Sequence, residues 1–223
     1  MPNKKGGALL MVWTEVPADK EDDFNAWYNE EHIAERLAIP GFLSAARYES
    51  DSPGAPKHLA MYELENIGVM TSDAYLSVRA NATEWTKRCS PDVIATTYIR
   101  NTYEQIFPAD VEEGTAQSGM APALQIGRMT VPADLDAEWN DWYNSVYVPN
   151  YMKVPGCIRG RRYRAVVGEP AYLTVYEFEH PDVSKTDEWN RQRAIDPRNE
   201  RWQNTMDHAV GSPGVWVKTF ELE

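Results

Sequence analysis

Cysteine is almost missing from this chain: Cys89 and Cys157 are the only two in 223 residues. That excludes a disulfide framework and the cysteine spacings of zinc modules, and it fits a reducing compartment. Histidine is nearly as scarce. His32, His58, His180 and His208 show no metal-ligand spacing, so no metal is expected. Long hydrophobic runs are absent too. No stretch approaches a membrane span, and the opening Met-Pro-Asn-Lys-Lys lacks the apolar core of a signal peptide, so a cytoplasmic location is expected. Positive charge is in short supply, with 22 basic against 34 acidic side chains and a net charge of −12. Such a surface disfavours nucleic acid and anionic membranes as partners. The glycine-rich phosphate loops, the HExxH zinc helix and the GxSxG nucleophile turn are all missing, and no cofactor is expected.

What the chain does contain is itself, twice. Val16-Pro17-Ala18-Asp19 recurs as Val131-Pro132-Ala133-Asp134. At the same offset Asn25, Trp27, Tyr28 and Asn29 meet Asn140, Trp142, Tyr143 and Asn144. Pro40-Gly41 meets Pro155-Gly156, and Arg47-Tyr48 meets Arg162-Tyr163. One residue out of step, Tyr62-Glu63-Leu64-Glu65 pairs with Tyr176-Glu177-Phe178-Glu179. The spacing predicts two repeats, 1–107 and 123–223, joined by a small, polar and acidic linker over 108–122.

Each repeat reads alike. In the first, an apolar strand from Ala8 stops near Pro17. A helix over about 18–38 follows, with Asp19 as N-cap and Phe24, Trp27, Tyr28 and Glu31 on one face. Pro40-Gly41 ends it, and two alternating runs, 42–49 and 58–65, form a hairpin around Ser52-Pro53-Gly54. A second helix over 72–89 and a last strand over 98–107 complete β-α-β-β-α-β. The fold class is α+β: two tandem ferredoxin-like repeats whose bare sheet faces pack together as a pseudo-dimeric barrel.

Alternation assigns Leu59, Met61, Leu173 and Val175 to the helix-covered face. It assigns His58, Ala60, Tyr62, Tyr172, Thr174 and Tyr176 to the barrel interior, along with Ser44, Ala46, Tyr48, Arg159, Arg161 and Tyr163. An interior so rich in phenols and guanidiniums points to a ligand pocket. Arg159, Arg161, Arg162 and Arg164 form an island suited to an anion. His32 follows Tyr28 by one helical turn and is replaced by Tyr147 in the second copy. An imidazole there is a natural general acid or base. Arg128 stands where the first copy has Trp13, so one active and one degenerate pocket are expected.

Trp27-Tyr28-Asn29-Glu30-Glu31-His32, followed by Pro40-Gly41-Phe42 and Arg47-Tyr48, resembles the dimeric α+β-barrel superfamily, and within it the EthD-like branch near muconolactone isomerases and polyketide cyclases. The resemblance implies cofactor-independent proton transfer on small aromatic-derived acids. The expected activity is isomerisation of an unsaturated carboxylate from aromatic-ring cleavage, coupled in some relatives to ester or lactone hydrolysis. In that scheme His32 moves the proton, Tyr48 or Tyr163 donates to the enolate oxygen, and Arg128 and Arg161 hold carboxylates. Trp13, Tyr28, Tyr62, Tyr176 and His58 line the substrate. Three alternatives stay open: a cofactor-free monooxygenase, a haem enzyme ligated by His180 or His208, and a non-catalytic carrier of a small acid. Association into a homodimer is a further expectation from the resemblance.

Overall fold

A computed structural model describes residues 2–50 and 52–222. The strands are β1 (Ala8–Glu15), β2 (Phe42–Glu49), β3 (His58–Leu64), β4 (Thr97–Phe107), β5 (Ala123–Thr130), β6 (Cys157–Val167), β7 (Tyr172–Phe178), β8 (Asp207–His208) and β9 (Gly214–Glu221). All their pairings are antiparallel. The first half forms the sheet β4-β1-β3-β2 and the second forms β9-β5-β7-β6. Pairing of β4 with β6 and of β2 with β9 joins their edges, so eight strands close a barrel and leave no open edge. The two-residue β8 pairs with Met129 and Thr130, beyond the stretch of β5 that β9 covers. The helices pack on the outside.

The first long helix runs over 21–37 and its counterpart over 136–151, each widened in the middle by a π-helical turn, at Tyr28–His32 and Tyr143–Tyr147. Asp19 does not cap the first. It sits in a preceding 3-10 turn, and the helix begins at Glu21 with three acidic residues facing its positive end. The expected second helix is two, Asp73–Ala80 and Glu84–Cys89, because Thr83 accepts a bond from the Thr86 amide and caps a fresh start. The recurring residues explain how helix meets sheet. Arg47 donates to Asn29 at 2.9 Å and to Asn25 at 2.5 Å, while Arg162 does the same to Asn144 and Asn140. Each buried guanidinium therefore clamps its long helix onto the strand beneath. The repeated Pro-Gly has a backbone cause: Gly41 and Gly156 have φ of +92° and +86°, and a Cβ at Gly41 would lie 2.4 Å from Val69 Cγ2.

The inner and outer rows of β3 and β7 are the reverse of the expected ones. Leu59, Met61, Leu173 and Val175 fill the barrel interior with Trp13, Tyr48, Tyr163 and Trp216. Tyr62 and Ala60 pack under the first long helix, and Tyr172 and Tyr176 pack under the second. Both faces of these strands are buried along their whole length, so neither carries the polarity contrast that fixes a face. The 108–122 segment is no free linker either. It forms a helical turn at Glu113–Ala116, accepts bonds from the Lys4 and Lys5 amides, and inserts Met120 and Ala121 into one end of the barrel.

Candidate active site

A cavity of about 340 Å³ lies between the first long helix, the helices over 73–94 and the outer face of β1, β3 and β4. Tyr28 and His32 reach it from the π turn and Trp27 from the residue just before it, and Tyr62 meets them from β3. A π turn adds a residue to the helical circuit and re-aims the side chains on either side of it, which is why such turns collect at functional sites. The His32 ring sits 4.2 Å from the Trp27 ring and 5.1 Å from the Tyr28 ring. Its Nδ1 has no hydrogen-bond partner among the described residues, and the Glu35 carboxylate stands off at 3.9 Å. Burial, aided by the neighbouring Arg36 charge, holds the imidazole well below its ordinary pKa, so it is neutral at pH 7. Burial pushes Tyr28 up to about 12 and Tyr62 well above its usual value, so both phenols keep their protons. The Trp27 indole is fixed by a 3.1 Å bond to Thr86, which in turn donates to Glu31.

At the mouth, arginines gather around Tyr75. Arg100 donates to its hydroxyl at 2.7 Å, and the Arg36 and Arg79 guanidiniums lie 5.7 and 5.9 Å from its ring. Arg36 is buried, and its Nη1, 3.8 Å from the Glu35 carboxylate, makes no hydrogen bond among the described residues, so it keeps a donor for an incoming acceptor. On a protein of net charge −12, this is a local attractor for an anion. The sequence reading passed over Arg36, Arg79, Arg100 and Tyr75. They come from three separate elements, and only the i, i+4 step from His32 to Arg36 was visible.

The other expected site residues are dispersed. Tyr176 lines a smaller cavity of about 220 Å³ in the second half, where Tyr147 replaces His32 and Tyr151 replaces Arg36. Those two phenols lie 3.3 Å apart, Gln203 donates to Tyr147, and Tyr151 stacks on Trp189 at 4.0 Å. Tyr48 and Tyr163 lie inside the packed barrel, away from His32. Tyr48 donates to the Ala121 carbonyl at 3.1 Å, and the Tyr163 hydroxyl has no partner. Arg161 is bound between Glu63 and Glu177 inside the barrel. Arg128 stacks 4.6 Å over Trp13 and donates to the Val210 carbonyl at one mouth of the barrel, beside an open cleft of about 640 Å³. His58 sits beneath Phe24, outside both cavities. The arginine island is therefore no single anion site. Arg161 points into the barrel, Arg162 under a helix, and Arg164 is exposed.

No family model and no curated protein sequence matches the chain. Solved structures do. An anthrone oxidase-like protein aligns at TM-score 0.59 and 14% identity, over 98% of this chain and 93% of that one. A protein provisionally assigned as a monooxygenase, from Lactobacillus acidophilus NCFM, aligns at 0.58 and 10%, over 97% and 96%. A chlorite dismutase variant from Candidatus Nitrospira defluvii, in complex with cyanide, aligns at 0.57 and 10%, over 96% and 92%. Agreement over nearly the full length of each makes this an α+β-barrel protein of the same fold, and at these identities it speaks for the fold alone. Neither histidine expected to ligate a haem, His180 or His208, lies in a space that fits one. His208 borders the smaller cavity, which Tyr147, Tyr151 and Trp189 crowd to about 220 Å³, too little for a porphyrin. His180 lies near Gly156, outside both cavities.

Proposed function

We propose that the first-half cavity is the active site of an enzyme that removes a proton from a small, acidic aromatic substrate and hands the resulting carbanion to dioxygen. The observation that carries this reading is the enclosed, neutral His32 ring with an unpartnered nitrogen beside two protonated phenols. His32 takes a proton from an activated CH2 or phenol, and Tyr28 and Tyr62 donate to the oxygen on which charge develops. The delocalised carbanion reduces dioxygen and bonds to it. For an anthrone-like CH2, loss of water from the peroxide leaves C=O: two hydrogens leave carbon, one oxygen atom stays, and the other departs as water. The cavity volume sits at the lower end of the range for small-molecule sites, roughly 300–1,000 Å³, which suits a ligand of a few rings. Two fold neighbours are described as anthrone oxidase-like and as a provisionally assigned monooxygenase, and the oxygen step proposed here is of that kind.

The arginines at the mouth favour a second reading, the isomerisation of an unsaturated carboxylate by the same base, with Arg36 and Arg100 holding the acid. An oxygen electrode separates the two. Stoichiometric oxygen uptake with an anthrone or hydroquinone supports the oxygenase, whereas a spectral shift of a dienoate without uptake supports the isomerase. His32→Ala should lower turnover by about 10²–10⁴ in either case. Full activity in that variant would remove His32 from the chemistry.

A further inference from the structure

We propose that Glu21, Glu49 and His58 form a divalent-cation site, outside the catalytic cavity, that takes Zn²⁺ or a similar first-row ion. The three residues come from different elements: the start of the first long helix, the end of β2 and the start of β3. Glu49 and His58 are a cross-strand pair, and one ligand atom from each of the three lies within 4.8 Å of the others. The two carboxylates are partly exposed, so their flexible ends can close to the 2.0–2.2 Å bonds that Zn²⁺ makes.

The stronger argument is what surrounds the imidazole. The His58 side chain is 3% exposed, and neither ring nitrogen makes a hydrogen bond among the described residues. Nε2 faces Glu21 at 3.3 Å and Nδ1 faces Glu49 at 3.5 Å. A neutral imidazole has one N–H, so it can satisfy only one carboxylate and must turn a lone pair toward the other. Two acceptors facing each other repel unless a cation lies between them. One imidazole and two carboxylates is a donor set for Zn²⁺, Co²⁺ or Mn²⁺.

The second half shows the same corner without this problem. Its equivalent residues are Asp136, Arg164 and Tyr172. There Tyr172 donates to Asp136 and accepts from Asn140 at 3.0 Å, while the Arg164 guanidinium lies 5.8 Å from the Tyr172 ring. That version is complete in itself, and the first-half version is not. Lys57, whose ammonium holds Glu21, is the competitor the metal has to displace.

The test is calorimetric titration of the untagged, chelator-stripped protein with ZnCl2 at pH 7.5. One equivalent should bind, and Glu49→Gln and His58→Gln should each weaken binding by at least about tenfold. Lys57→Ala should tighten it by freeing Glu21. Should His58→Gln fail to fold, Glu49→Gln at its half-exposed strand end carries the comparison. Absence of saturable binding, or wild-type affinity in Glu49→Gln, overturns the site.

Discussion

Replacing Arg161 by alanine should be among the most damaging single changes available in this chain. Arg161 is 1% exposed and lies between two equivalent carboxylates, Glu63 and Glu177, one from each half. Its own counterpart is Ala46, so one guanidinium serves both acids where two would collide. Lys5 completes the cluster at 3.2 Å from Glu177 and 3.7 Å from Glu63. Removing one partner from a buried ion pair costs about 3–5 kcal/mol, because a charge is left in a medium that cannot solvate it. At 2–4 °C per kcal/mol for a chain of this size, the melting point should fall by roughly 6–20 °C.

Acid should soften that loss. Burial pushes the Glu177 carboxyl upward, but Lys5, Arg161 and Arg159 outweigh it and hold the folded value below the ordinary one. A lowered folded pKa gives stability that is present above the unfolded value of about 4.3 and disappears as pH falls through the folded value. Without Arg161 one of those three charges is gone, so burial lifts the folded value above that of the parent and the acid takes up its proton more readily. The deficit of Arg161→Ala should therefore shrink from pH 7 toward pH 4. Urea denaturation at both pH values measures it. A deficit below about 1 kcal/mol, the range of an exposed pair, or one that does not change with pH, would refute the reasoning. Exchanging Lys5, Glu63, Arg159, Arg161 and Glu177 together for apolar residues should restore most of the stability, since no charge of the cluster is then left alone.

Other changes separate site from scaffold. Tyr48→Phe should cost about 0.5–1.5 kcal/mol in denaturant melts by leaving the Ala121 carbonyl without its donor, whereas Tyr163→Phe should cost nothing, because that hydroxyl bonds to nothing. Arg100→Gln should raise KM for an acidic substrate about tenfold with little change in kcat, as expected for lost binding of a charged group. With its folded pKa held well below 6.5, His32 stays in its basic form through neutrality. The kcat/KM profile should be flat from pH 6.5 to 8 and fall only on the acid side. A limb centred near pH 6.5 would place the base elsewhere.

The repeat made most of the fold legible. Matching residues at a constant offset predicted two βαββαβ halves, and bare sheet faces predicted that the halves enclose each other. The break at Thr83 was not visible because tertiary contacts decide it: the Trp27 indole bonds to Thr86, and Glu31 accepts from both Thr83 and Thr86. The 108–122 segment looked like linker because its apolar side chains are few and unperiodic. Two of them, Met120 and Ala121, nevertheless close the end of the barrel, a contact with no local signature.

The tyrosine row was assigned to the wrong face of the sheet for an instructive reason. The polar row of His58, Ala60 and Tyr62 on β3 and Tyr172, Thr174 and Tyr176 on β7 points, by alternation, to a pocket inside the barrel, whereas Tyr62 and Tyr176 line two other cavities. Those cavities lie between sheet and helix. The barrel interior holds Leu59, Met61, Leu173 and Val175 around its ion cluster. In a barrel wrapped by helices both faces of a strand are dry, so period-two alternation groups residues correctly without saying which group faces inward. What does identify the face is the helix. His32 shares its π turn with Tyr28, and the clamp from Arg47 to Asn25 and Asn29 pins that helix to the outer side of β2. A side chain on such a helix can meet only the outward row of the sheet. His32 and Tyr62 therefore belong together, while Tyr48, next to Arg47 on the same strand, points the other way, into the barrel.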